Sequence, residues 1–150
     1  MTGRQSRDLA RSPLMPAAQA AQYAAASPPA PHTEAELRSL LALLRAPAAG
    51  ISTVAVGHSR DGASRAAAEA FTAAWQAGGG TVVAVVDWPE QAASWLRSAV
   101  RLTAQSPDAW VIAAAPLGWA QLCRRLKLSM DWDPHRTFLL ACRETDVNGV

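Results

Sequence analysis

Residues 51–57 read Ile51-Ser52-Thr53-Val54-Ala55-Val56-Gly57, and this run decides the fold. It is short, apolar without alternation, and bounded by glycine at Gly50 and Gly57. Seven residues are too few for a good core helix, and unbroken apolar character means burial on both faces of a sheet. Three further runs repeat the pattern: 81–87 (TVVAVVD), 109–115 (AWVIAAA) and 136–142 (RTFLLAC). Strands buried on both faces are parallel strands covered by helices, and a parallel sheet places its site at the carboxyl ends of the strands.

The stretches between the runs supply those helices. Thr33 with Glu36 three residues on is a capping box, and Leu37, Leu40, Leu41 and Leu44 then mark one apolar face. Pro47 and Gly50 end that helix. The turn His58-Ser59-Arg60-Asp61-Gly62 leads to a helix over about 63–76, whose buried stripe is Ala67, Ala70, Phe71, Ala74 and Trp75. Gly78-Gly79-Gly80 stops it. After Asp87-Trp88-Pro89 a third helix is expected over about 90–104, burying Ala92, Trp95, Leu96, Ala99 and Val100, with Arg97 and Arg101 outward. Ser106-Pro107-Asp108 introduces the third strand, and Pro116 closes it. A last helix over about 117–128 packs through Trp119, Leu122, Cys123 and Leu126, and a loop at 131–135 precedes the final strand.

The order is α-β-α-β-α-β-α-β. Right-handed crossovers then give an α/β three-layer sandwich with a short four-stranded parallel sheet, in strand order 2-1-3-4. The switch point falls between the first and third strands, so the turns 57–62 and 115–119 line the crevice.

At 150 residues, half of them hydrophobic, the chain can build one Rossmann-like domain over 33–150. Residues 1–32 read as an Ala/Pro-rich tail, flexible or partly helical. Prolines 28, 29 and 31 make its last part a linker. Arg4, Arg7 and Arg11 imitate the start of an export signal, but Pro13, Pro16, Gln19 and Gln22 interrupt the apolar segment that should follow. The expected location is the cytoplasm, with export through a degenerate signal as the alternative.

No run is long enough to span a bilayer. Net charge is +2, and Lys127 is the only lysine. Such arginine bias beside abundant alanine fits a bacterial genome of high GC content. The scattered basic residues argue against a nucleic-acid partner, and Arg124, Arg125 and Lys127 read as a solvated helix face. Cys123 and Cys142 have no metal-ligand spacing and read as buried thiols. Asp131 and Asp133 alone are too few oxygen ligands for a cation, so neither a metal nor a cofactor is expected.

The sharpest local signal is the turn Gly57-His58-Ser59-Arg60-Asp61-Gly62. It looks like the nucleophile elbow of α/β-hydrolases, but Asp61 stands where the second glycine belongs. A triad in chain order needs a histidine after its acid, and His135 precedes Asp146. The turn is also placed to cradle an anion at the start of the following helix, with Arg60 and Arg65 adding charge. There is no G-x-G-x-x-G or Walker pattern to make that anion a nucleotide. The plain alternative is a polar βα turn whose Ser59 or Asp61 caps the helix.

Taken together, residues 33–142 resemble the second lobe of type I periplasmic binding proteins, the branched-chain amino-acid receptor class. The likeness is carried by TEAELRSLLALLRA before ISTVAVG, the polar turn ending in Asp61-Gly62, AAAEAFTAAWQAGGGTVVAVVDWP, and SPDAWVIAAAP. VAVGHSRDGASRAAAEAF is also similar to the first domain of phosphohexomutases, although Ala113-Ala114-Ala115-Pro116 lacks their phosphoserine. The uroporphyrinogen-III synthase lobe shares the layout.

The receptor resemblance implies a non-enzymatic binding or interaction module. A small polar ligand such as an amino acid would lie against Gly57, His58, Ser59, Arg60, Asp61, Gly62, Asp87, Trp88 and Pro116. Gly57 and Gly62 would allow close backbone approach, Ser59 and Arg60 would hold a carboxylate, and Trp88 would cover the apolar part. Such receptors close two lobes on their ligand, so a second copy or a partner protein is expected to supply the other wall. The alternatives are a serine hydrolase built on Ser59 and a structural subunit of a larger assembly.

Overall fold

The computed structural model describes residues 15–24 and 29–140. Its elements are α1 (Ala17–Ala24), α2 (Glu34–Arg45), a 3-10 turn (Pro47–Ala49), β1 (Thr53–Ser59), α3 (Gly62–Ala77), β2 (Thr81–Trp88), α4 (Leu96–Thr103), β3 (Ala109–Ala113), α5 (Pro116–Leu126), a second 3-10 turn (Pro134–Arg136) and β4 (Thr137–Leu139). The strands form one parallel sheet in the order β2-β1-β3-β4, as the sequence predicts. Cys142, Asp146, Arg4, Arg7, Arg11 and the linker residues 27 and 28 lie outside the described residues.

Side-chain hydrogen bonds set the starts of α2 and α3, and glycines end α3. Thr33 Oγ1 accepts the N–H of Glu36 at 3.1 Å and starts α2. Asp61 Oδ2 accepts the N–H of Ser64 at 3.0 Å and starts α3. The triple glycine ends α3 with Gly79 at φ 90, a left-handed position that other residues enter only with strain. The Arg45 guanidinium lies across Gly78 and donates from Nη2 to the Ala74 carbonyl at 2.7 Å, so α2 reaches over to cap the last turn of α3.

The pleat of β1 and β3 divides the core into two halves. Val54, Val56 and Val111 face α2 and α3, where they meet Leu40, Leu44, Phe71 and Trp75. Ala55, Trp110 and Ile112 face α4 and α5, where they meet Trp88, Trp95, Leu102, Leu122 and Leu126. Every residue of β3 and all but the first of β1 are buried, as continuous apolar runs demand. β2 is half-exposed because it forms an edge of the sheet. A register shift between Val54 and Ala55 against β2 adds one residue to that edge strand.

The third helix and the third strand are shorter than the sequence suggests. The helix expected over 90–104 begins only at Leu96. Leu96 and Val100 are exposed, and Leu102 and Thr103 take their buried places beside Ala99. Glu90 and the residues up to Trp95 instead form an irregular crossing, held to α5 by hydrogen bonds that periodicity does not reveal. The third strand stops at Ala113 because Pro116 occupies the first turn of α5. In the amino-terminal segment, expected to be flexible or partly helical, residues 17–24 form α1, which packs on α5; Arg124 Nη1 donates to Gln19 Oε1 at 3.3 Å.

Candidate functional site

Crossovers leave β1 and β3 in opposite directions around the sheet, so their carboxyl ends define the switch-point rim. Ser59 ends β1 and is 1% exposed. Its hydroxyl donates to Asp61 Oδ1, and its oxygen accepts the N–H of Ala115 at 2.8 Å. One hydroxyl thus ties β1 to the turn after it and to the loop after β3. Asp61 completes the knot by receiving the Ser64 N–H. Burial works to raise the Asp61 pKa, but the hydrogen bonds from Ser59 and Ser64 outweigh it and hold the carboxyl below its ordinary value.

The other predicted residues fall around this knot. His58 is 7% exposed, and its Nδ1 donates to the Ser59 carbonyl at 2.8 Å. Arg60 and Asp87 are exposed and form an ion pair at 3.3 Å, linking the turns after β1 and β2. Gly62 is the exposed first residue of α3, and Pro116 is the half-buried first residue of α5.

Two residues sit differently from their expected roles. Trp88 is fully buried and stacks on Trp119 at 6.2 Å between ring centroids, so its ring belongs to the core and does not cover an external ligand. Gly57 lies under that ring. A Cβ there would come within 2.6 Å of Trp88 Cη2 and Cζ3, so the glycine admits an indole rather than a ligand.

Sequence reasoning missed Glu90. Ala115 occupies the N-cap of α5 but has no side chain able to cap it. Glu90 does so from the β2–α4 crossing, where Oε2 accepts the N–H of Gly118 at 2.9 Å. Its backbone carbonyl accepts from Gln121 Nε2 at 2.9 Å, and Gln121 Oε1 accepts from Trp95 Nε1 at 3.3 Å. Burial pushes the Glu90 pKa up. The Gly118 N–H opposes this, and the charge of Asp61 adds to it. The available signal was a helix start, Ala115-Pro116, with no capping side chain of its own.

The electrostatics of the rim therefore differ from an anion cradle. Asp61 occupies the N-terminus of α3 and Glu90 that of α5, so both helix dipoles already meet this chain's own carboxylates. Trp88 Nε1 and Glu90 Oε1 are both shut off from solvent and lack a hydrogen-bond partner, and both residues border Gly118. Chemically the rim offers carboxylates and the exposed guanidinium of Arg60, with Arg65 exposed in the first turn of α3. The Ser59 oxygen is committed on both sides, and the His58 ring bonds to a carbonyl rather than to that hydroxyl. Among the described residues no three acidic, histidine or cysteine side chains gather as a metal site would require, and no helix is long and apolar enough to cross a membrane. Comparison with protein-family models, with curated proteins and with solved structures finds no match.

Proposed function

We propose that this domain is a non-enzymatic binding module resembling a single solute-receptor lobe, and that its ligand is a small zwitterion such as an amino acid. The observation that carries this reading is the convergence of Asp61, Glu90 and the Arg60–Asp87 pair on the rim at the switch point. An ammonium group matches the carboxylates of Asp61 and Glu90. A carboxylate matches Arg60, which is exposed and can exchange its partner Asp87 at little cost. A lone phosphate or carboxylate is disfavoured, because it would have to displace an acid from a helix N-terminus. The inward commitment of the Ser59 hydroxyl supports binding over hydrolysis. One rim is an open wall, so a second copy or a partner protein supplies the facing side.

A thermal-shift screen of amino acids, simple amines and simple carboxylates tests the reading. Expected is a rise in melting temperature with at least one zwitterion, abolished by Arg60→Ala and by Asp61→Asn, and absent with the matching amine or acid alone. A flat response to every compound overturns it.

A further inference from the structure

A second surface lies away from the rim. α4 and α5 run side by side over the same half of the core and are joined by the Trp95–Gln121 hydrogen bond. Both return against the direction of the strands, so their carboxyl ends gather at the edge of the sheet where the strands begin. Arg97 and Arg101 lie on α4, Arg124 and Arg125 on α5, and Lys127 just beyond it. Neither helix carries an acid. By contrast, α2 and α3 on the other layer mix Glu34, Glu36 and Glu69 with Arg38, Arg45 and Arg65.

None of those five cations has a carboxylate within salt-bridge distance among the described residues, where the pairs are Arg60–Asp87 and Arg136–Asp133. Arg101 reaches the Val85 carbonyl at 3.5 Å and Arg124 reaches Gln19. Glu90 and Asp108, the acids nearest in sequence to Arg97 and Arg101, are engaged by the Gly118 N–H and by Ser52 and Thr53, and in the loop after α5 Asp133 is engaged by Arg136. A helix dipole accounts for cations in the last turns, but Arg97 sits in the first turn of α4, where the dipole opposes it. Exposed apolar side chains accompany the charge: Leu96 at 47%, Val100 at 51%, Leu128 at 61% and Met130 at 100%.

We propose that the α4/α5 layer docks peripherally on an anionic lipid surface. The cations meet lipid phosphates, and the aliphatic side chains beside them enter the headgroup region. Aliphatic residues favour lipid over single-stranded nucleic acid, which rewards stacking aromatics, and over a duplex, whose phosphates reward charge alone. They favour lipid over a purely acidic protein face, which rewards charge alone.

The test is co-sedimentation of the full chain with phosphatidylcholine vesicles, with and without roughly one third phosphatidylglycerol. Expected is a partition about tenfold higher onto the anionic vesicles, falling as salt rises. Arg97→Glu with Arg101→Glu lowers it about tenfold with an unchanged circular dichroism spectrum, and Lys127→Glu, outside both helices, lowers it by a smaller factor. Met130→Ser weakens binding at every salt concentration. Equal partition of the wild type onto both vesicles overturns the proposal. So does undiminished binding by the folded charge-reversed variants, or tighter binding to a DNA duplex or to polyglutamate at the same salt.

Discussion

Asp108 holds Ser52 from the start of the neighbouring strand: its Oδ2 accepts the Ser52 N–H at 2.9 Å and the Ser52 hydroxyl at 3.0 Å. The same oxygen takes the Thr53 N–H at 3.0 Å, while the Asp108 N–H donates to Thr53 Oγ1 at 3.0 Å. The carboxylate therefore fixes the register of β1 on β3 before the ladder begins. Backbone donors from Ser52 and Thr53 lower its pKa from the usual 3.8 to about 2. A depressed carboxyl stabilises the fold above its ordinary pKa and ceases to do so as pH falls through the depressed value. Asp108→Asn should cost about 1 kcal/mol at neutral pH, and the gap from wild type should close between roughly pH 4 and pH 2. Urea denaturation midpoints across that range check it.

Gly57→Ala should destabilise the domain by about 1–3 kcal/mol. The added methyl would meet Trp88 and the Cδ1 of Ile112 at 2.9 Å, both fully buried. Thermal denaturation measures the loss. A variant as stable as wild type would mean that the indole does not rest on that glycine.

Ser59→Ala removes the hydroxyl that accepts the Ala115 N–H and donates to Asp61. It should lower stability by about 1–3 kcal/mol. Hydrolysis of a p-nitrophenyl ester should be the same for wild type and variant. Esterase activity present in the wild type and absent from the folded variant would restore the hydrolase reading.

Glu90 separates its roles by two substitutions. Its raised pKa means that the ionised carboxyl is disfavoured in the fold, so its contribution to stability falls as pH climbs from the ordinary value through the raised one. Glu90→Gln keeps an oxygen for Gly118 and should match or exceed wild-type stability at pH 7, with the difference vanishing near pH 4. Glu90→Ala strands the Gly118 N–H and should cost about 1 kcal/mol or more at both pH values. Paired melts at the two pH values separate these outcomes.

How much of this was legible in the sequence depends on which force set each feature. Burial set the strands, and an apolar run such as TVAVG in β1 declares burial directly. The crossover rule then gave the strand order without further help. Local hydrogen bonding set the starts of α2 and α3, and Thr33-x-x-Glu36 and Asp61 announce them. Glu90 was not legible because its partner Gly118 is distant in sequence and no periodicity links them. Trp88 was misplaced for a related reason. Its position at a strand end suggested exposure, but the space that receives its ring is created by Gly57 on the adjacent strand, and only the β1–β2 register reveals that pairing. Leu96 and Val100 carried a helical period whose apolar side faces outward, and a period alone does not say which side meets the sheet.

The β1–β3 pair is fastened at one end by Asp108 and at the other by Ser59, whereas β2 is tied to β1 beyond the ladder by the exposed Arg60–Asp87 ion pair and β4 to β3 by the long 3.5 Å reach of Arg136 to the Asp108 carbonyl. Slow breathing of the sheet must then begin at β2 or β4 and leave the middle intact. Deuterium should invade the domain from its flanks, and the central amides should exchange last, only when the whole chain lets go.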